Sequence, residues 1–300
     1  MLSSIIIPIL DSPIIDQVLQ RLEEQSARSM IGEILVVGRD QPGLVRETSL
    51  VKMVDTFQPV SASRARNIGI EIAQNDLLIF LDSDCLPEPD WLAQHLAAHA
   101  NGHLVIGGGI EPNGPGYWRL TYNLAMFHEF FATAVEGPRD YLPTLNLSVA
   151  RTVIAETGIL NESLARGQDI EWTMRMAEAN YQPYFWPAAT VLHHHNRNRL
   201  ASVWRDCARS GYYMRQLRLQ NPDYLLAPSW LRYAWAVLLF SPAIATAVTV
   251  RIVTKRPSVI LRHWYTIPGI YLTKLAWCWG ASGNRISLDA RTKGRPNDKV

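Results

Sequence analysis

Residues 61–92 read SASRARNIGIEIAQNDLLIFLDSDCLPEPDWL, and the order of elements they spell decides the fold. Ser61 and Ser63 stand where helix N-caps stand, and apolar positions follow at three- and four-residue spacing to about residue 74. LLIFLD at 77–82 is then a short, β-rich run without polar alternation, the mark of a strand covered on both faces of a parallel sheet. Upstream, SSIIIPI at 3–9 and EILVV at 33–37 have the same character, with an amphipathic helical stretch at 14–26 between them. The repeated βαβ order predicts an α/β fold with a doubly wound, mostly parallel sheet. Downstream, PEPDWLAQHLAAHA at 87–100 starts a helix with proline and acidic residues, and HLVIGGGI at 103–110 predicts a further strand. The pattern then predicts a helix at 117–133, a strand at 145–150, a helix at 169–180 and a strand at 183–195 that ends in His193, His194 and His195.

Composition excludes several classes of function. The 29 basic and 27 acidic residues leave a net charge of +2, so no global field marks a nucleic-acid binder. The cysteines at 85, 207 and 278 are odd in number and lack CxxC spacing, which argues against a disulfide framework or structural zinc and for a reducing, cytoplasmic setting. The N-terminus has no basic region and its apolar run stops at Pro8, so it reads as a buried strand and not as a signal peptide.

Composition changes after Pro222. Residues 234–250 carry no charge, and five of the ten tryptophans, at 230, 235, 264, 277 and 279, flank two apolar stretches as interfacial belts do. The connection at 251–262 holds Arg251, Lys255, Arg256 and Arg262, which opposes its translocation and predicts a re-entrant or peripheral anchor on the cytoplasmic face of a membrane; a helical subdomain packed on the enzyme is the alternative, because a run of that length containing Pro242 is borderline for a span. The expected division is a catalytic domain at 1–221, a helical, membrane-associated region at 222–282 and a flexible tail at 283–300.

The chemistry sits at the end of the 77–82 strand. Asp82 and Asp84 are two apart, so both carboxylates can face the crevice outside the carboxyl ends of the strands, where α/β sheets bind ligands. Such a pair suits Mg²⁺ or Mn²⁺ bridging diphosphate oxygens. Arg66 can offer a bidentate fork to phosphate, Asn67 can cap or brace, and Pro8 and Asp11 stand where backbone and carboxylate could meet a base or ribose.

The stretch at 61–92, with SIIIPI before it and LNLSVARTVIAETGILNESLARGQDIEWTMRMAEANYQPYFWP after it, resembles the family 2 glycosyltransferases over roughly residues 3–215, its motifs in the family's order. The resemblance implies a GT-A fold and an inverting transfer of a sugar from a nucleotide-diphosphate donor to a glycan, lipid-linked or other acceptor hydroxyl. It further implies donor binding by Pro8, Asp11, Arg66, Asp82 and Asp84, with Asp82 on the nucleoside and Asp84 on the metal. GQDIEW matches the family's Glu-Asp pair as Gln168-Asp169, which makes Asp169 the catalytic base and places Gln168 and Trp172 on the acceptor side. The histidines point to a His-x-His in which His193 and His195 share a face, with His195 as a second metal ligand. The chain departs from the family where VVGRDQPG at 36–43 puts Gly38 and Arg39 in place of paired aspartates, and where Gln168 replaces glutamate. A phosphotransferase of the haloacid dehalogenase type fits poorly, because Leu86 follows Cys85 where a threonine is wanted. A non-catalytic, donor-binding or scaffolding relative is the alternative that the departures favour.

Overall fold

The computed structural model describes residues 1–111, 116–222 and 228–283, which form two compact units, Met1–Asn196 and the residues from Arg197 onward. The division falls before the expected boundary at residue 221, because the helix Leu200–Gln220 packs with the C-terminal helices.

The N-terminal unit runs β1 (Ser3–Leu10), α1 (Ile15–Glu23), β2 (Ile31–Arg39), β3 (Val51–Asp55), α2 (Ala62–Ile72), β4 (Leu77–Leu81), β5 (Cys85–Pro87), α3 (Trp91–Ala100) and β6 (Val105–Ile110). It continues with α4 (Tyr117–Phe127), β7 (Gly137–Pro138), β8 (Asn146–Ala150), α5 (Arg151–Thr157), α6 (Gln168–Glu178) and β9 (Tyr184–His193). The strands form one sheet in the order β3-β2-β1-β4-β8-β6-β9-β5, with β7 beside β9. The half containing β3, β2, β1 and β4 is parallel, as expected, but β8 runs antiparallel to both β4 and β6, and β5 and β7 run antiparallel to β9. The sheet is therefore mixed, which corrects the mostly parallel expectation. The reason is that β8 enters from the long connection after α4, a segment with no crossover helix to reverse its direction.

Burial follows from composition. Every side chain of β4 is buried, as are Ile5, Ile6, Ile7 and Ile9 of β1, so the central strands are apolar on both faces. Full burial of each such side chain contributes about 1.5–3 kcal/mol. Helix α2 lies close on β1 because Gly69 has no Cβ; one built there would stand 2.4 Å from Ile6 Cγ2. Pro8 does not end β1, which continues to Leu10 paired with β2; it is tolerated because pairing with β4 stops at Ile6. Behind the sheet, the buried Asn146 amide donates to the Gly109 and Ala189 carbonyls and accepts from the Trp91 indole N–H. His95 is bonded to Asn146 and Ser148, and burial lowers its pKa to about 4, keeping the ring neutral.

The C-terminal unit is helical: α7 (Leu200–Gln220), α8 (Ala234–Leu239), α9 (Ser241–Lys255), α10 (Pro257–Arg262) and α11 (Ile267–Ala281). Helices α7 and α11 interlock through Gly211 and Gly280, where added Cβ atoms would stand 1.9 Å from the Trp277 carbonyl oxygen and 1.7 Å from that of Ala208. The uncharged run 234–250 is broken at Phe240, and Pro242 sits in the first turn of α9, where a proline costs no hydrogen bond. Among the described residues no helix is long and apolar enough to cross a membrane. Apart from Gly283, the expected tail at 283–300 lies outside the described residues.

Candidate functional site

The carboxyl ends of the parallel strands bring together the groups that matter. The chain passes from β1 to β2 on one side and later to β4 on the other, so a crevice opens between the ends of β1 and β4. Asp11 follows β1, Arg39 ends β2 and Asp82-Ser83-Asp84 follows β4. The Ser12 hydroxyl donates to the Ser83 carbonyl at 2.7 Å, tying the two sides of the crevice together. No sequence signal singled out Ser12.

Two arginine–aspartate pairs line this crevice. Arg66 on α2 is buried and binds the Asp82 carboxylate with one Nη, while its Nε–H is buried with no acceptor among the described residues. That leaves a donor beside Asp82 for an incoming oxygen. Asp11 is held at φ 52° and paired with Arg39, and it also accepts the Gln41 N–H at 2.9 Å. The Arg39 hydrogen bond, followed by that from Gln41, lowers the Asp11 pKa. The arginine that replaces the family's acidic residue thus does not leave the corner empty; it pairs with the other acidic group there.

Asp84 faces His193 across 3.6 Å, and Cys85 Sγ lies 3.9 Å from the same carboxylate oxygen. Asn123 on α4 donates its amide to the His193 carbonyl and accepts at 3.2 Å from Nδ1 of the same residue. This puts a proton on Nδ1 and turns Nε2 toward Asp84. Asp84, Cys85 and His193 form the group of described residues able to hold a cation, their ligand atoms within 4.8 Å of one another. A carboxylate oxygen and an imidazole nitrogen fit Mn²⁺ or Mg²⁺, whereas the Cys85 thiol, whose pKa is raised well above normal by burial and then by Asp84, is a poor ligand for either. His195, the expected ligand, is not in this group; it is buried with its ring 4.7 Å from that of Tyr122 and 5.0 Å from that of His193. His193 and His195 stand ring to ring as expected, and His193 is the one that reaches Asp84.

Asp169 is the second residue of α6, entered through Gly167 at φ 78°. Burial raises its pKa, the Arg66 charge opposes that rise and the Asp82 charge adds to it. The base candidate therefore lies within the electrostatic reach of the Arg66–Asp82 pair. Asn67, beside Arg66, holds the loop leading to α6: its amide donates to the Leu160 carbonyl and to Glu162, and its oxygen accepts the Leu160 N–H. Consecutive residues of α2 thus fix the Asp82 carboxylate and the approach to Asp169; Asn67 braces this loop and not the sheet.

The remaining acceptor-side residues fall differently. Gln168 donates to the Leu164 carbonyl at 2.8 Å within its own loop. Trp172 is fully buried, its indole N–H on the Gly158 carbonyl and its ring edge-on to Phe80 at 5.4 Å. It anchors α6 to the sheet and offers no face to an acceptor, which corrects the expectation for that residue. Glu171 is engaged by Arg175, which also caps the Thr157 and Ile159 carbonyls.

Comparison with known proteins bears on the family and the fold. Residues 4–153 match the model of glycosyl transferase family 2. The chain is 30% identical over 122 residues to glycosyltransferase AglE of Haloferax volcanii, covering 40% of each chain. It is 25% identical over 169 residues to the pre-mycofactocin glycosyltransferase of Mycobacterium tuberculosis, covering 53% of this chain and 35% of that one. The chain thus spans well under half the length of these curated relatives. Among solved structures, the mannosyltransferase PcManGT from Pyrobaculum calidifontis, in complex with GDP-Man and Mn²⁺, superposes with a TM-score of 0.61 at 17% identity, over 91% of this chain and 85% of that one. GalNAc-T7 with UDP, GalNAc and Mn²⁺ gives 0.53 at 17% identity, over 65% of this chain and 43% of that one. These two likenesses establish the GT-A-like fold.

Proposed function

The chain belongs to glycosyl transferase family 2, and from that premise we propose that it moves a sugar, with inversion, from a nucleotide-diphosphate donor to an acceptor hydroxyl. The observation that carries this reading is the convergence of Arg66, Asp82 and Asp169 at one end of the sheet, with Asp84 and His193 beside them.

The geometry supports the following roles. Asp82, held by Arg66, and Asp11, held by Arg39, take the nucleoside side of the donor, with the Pro8 backbone bordering it. The unpartnered Arg66 Nε–H meets a diphosphate or ribose oxygen. Asp84 and His193 hold Mg²⁺ or Mn²⁺, which when bound neutralises diphosphate charge. The Mn²⁺ in both solved neighbours supports this assignment. Asp169 takes the proton of the acceptor hydroxyl as its oxygen attacks the anomeric carbon and the bond to the diphosphate breaks on the opposite face. Its raised pKa makes it a stronger proton acceptor than an exposed aspartate, and the Arg66 charge favours its ionised form.

The acceptor is part of a polysaccharide, glycolipid or cell-envelope glycan, met at the cytoplasmic face of a membrane on which the C-terminal unit rests. Two features support this: residues 228–283 contain six cationic side chains and no carboxylate, and Trp230, Trp235, Trp264 and Trp279 are exposed. The test is incubation of the full chain with UDP- and GDP-sugars and Mn²⁺, with nucleotide release measured and the anomeric configuration of the product read by NMR. Retained configuration would sink the single-displacement reading, and no release from any donor would sink the enzyme.

A further inference from the structure

Helices α9 and α11 enclose a groove of about 480 Å³ lined by Thr246, Thr249, Val250, Ile267, Pro268, Tyr271 and Leu272. No charged side chain lines it, so it suits a hydrocarbon and not a sugar or nucleotide. Its one anomaly is polar. Thr246 and Thr254 on α9 donate to the carbonyls four residues back, Pro242 at 2.8 Å and Val250 at 3.0 Å, whereas the Thr249 hydroxyl, on a residue 6% exposed, has no partner among the described residues. A buried hydroxyl without an acceptor costs about 1–3 kcal/mol, so an occupant bringing an oxygen to it is favoured. The surroundings narrow the occupant further. Leu238, Leu239, Phe240, Leu261 and Trp264 are exposed on α8, at its C-terminal end, on α10 and in the turn before α11, and residues 228–283 hold six cationic side chains and no carboxylate. Exposed apolar and aromatic groups in a segment of that composition match an anionic lipid surface better than a protein partner.

We propose that the α9–α11 groove holds one hydrocarbon chain of a lipid, with an ester- or phosphoester-type oxygen at its head accepting from Thr249. This rests on the reading of the C-terminal unit as membrane-facing and adds a lipid-chain site to it.

The test uses the full chain and two probes: cis-parinaric acid, a fluorescent fatty acid read by its emission on binding, and vesicles of phosphatidylglycerol in phosphatidylcholine, read by sedimentation. Wild type should take up parinarate saturably and sediment with the anionic vesicles. Val250→Asp, at an exposed position where folding is not at stake, puts a charge into the groove and should weaken parinarate about tenfold or more. Leu261→Asp, exposed on α10 outside the groove, should weaken sedimentation and leave parinarate uptake unchanged. Thr249→Val keeps the shape, removes the hydroxyl and should weaken parinarate by roughly three- to tenfold. Sedimentation without saturable uptake, or equal uptake by wild type and Val250→Asp, overturns the groove and leaves the surface reading standing. Saturable uptake without sedimentation upholds the groove and overturns the surface reading.

Discussion

In the N-terminal unit Phe80, Trp91 and Trp172 are fully buried, whereas in the C-terminal unit Trp235 and Trp264 are 65% and 67% exposed. Charge divides the same way. The N-terminal unit pairs its cations with carboxylates at the sheet's carboxyl edge, as in Arg66–Asp82 and Arg39–Asp11, while residues 228–283 carry cations alone. Paired charges beside a crevice hold a small charged ligand in register; a segment rich in cations and exposed aromatics, with no carboxylate of its own, suits an extended anionic surface. On the proposed function one unit carries the chemistry and the other the placement, and mutations should separate the two.

The largest separation is expected from Asp169→Asn. Loss of a general base should cut transfer by roughly 10²- to 10⁴-fold, with donor affinity and vesicle sedimentation unchanged. A folded variant with near-normal turnover would remove Asp169 as base. Glu171, next in the helix, is no ready substitute, because Arg175 already holds it. Next in size, Asp84→Ala or EDTA should weaken donor binding by calorimetry on the order of tenfold or more, since the diphosphate then meets Asp82 without an intervening cation. His193→Ala should act in the same direction and His195→Ala much less; a larger effect at His195 would reverse the assignment of the metal-facing histidine.

Trp235→Ser with Trp264→Ser should leave transfer to a soluble acceptor intact and weaken vesicle sedimentation by roughly tenfold, the effect of withdrawing one or two large side chains from an apolar phase. If the double variant sediments like wild type, the exposed aromatics are not the contact.

How much of this was legible in the sequence differed along the chain. The strands β1, β2 and β4 announced themselves because both of their faces are covered, so nearly every residue is apolar. The short β5 and edge strand β3 gave no such signal: Cys85-Leu86-Pro87 pairs three residues with β9, and VKMVD alternates poorly. The direction of β8 was not legible, because strand polarity depends on a connection whose path no local pattern encodes. At the site, the spacing of Asp82 and Asp84 was readable, and so was the sidedness of His193 and His195. The choice between the two histidines was not, since it rests on Asn123, 70 residues away, fixing the His193 ring. Trp172 was placed on the acceptor side through the family resemblance alone; its full burial against Phe80 is a tertiary contact that no local pattern encodes.

The smallest effect tests whether the charges of the N-terminal unit act as one group. A base must be ionised to work, so turnover is lost as pH falls through the Asp169 pKa, which burial places above the ordinary aspartate value of 3.8. Arg66 favours the carboxylate and lowers that pKa, so Arg66→Gln should carry the acid limb of kcat/KM to higher pH. Asp82 disfavours the carboxylate, so Asp82→Asn should carry the limb to lower pH. Both variants disturb the donor site and raise donor KM, so the limb is read from profiles normalised to each variant's own plateau, where only its position counts. Opposite displacements are the signature of a single electrostatic cluster joining the donor carboxylate to the base. Displacement in one direction for both variants would mean that the mutations act through the packing of α2 against the loop before α6, the contact Asn67 makes, and that the base titrates independently of the donor pair.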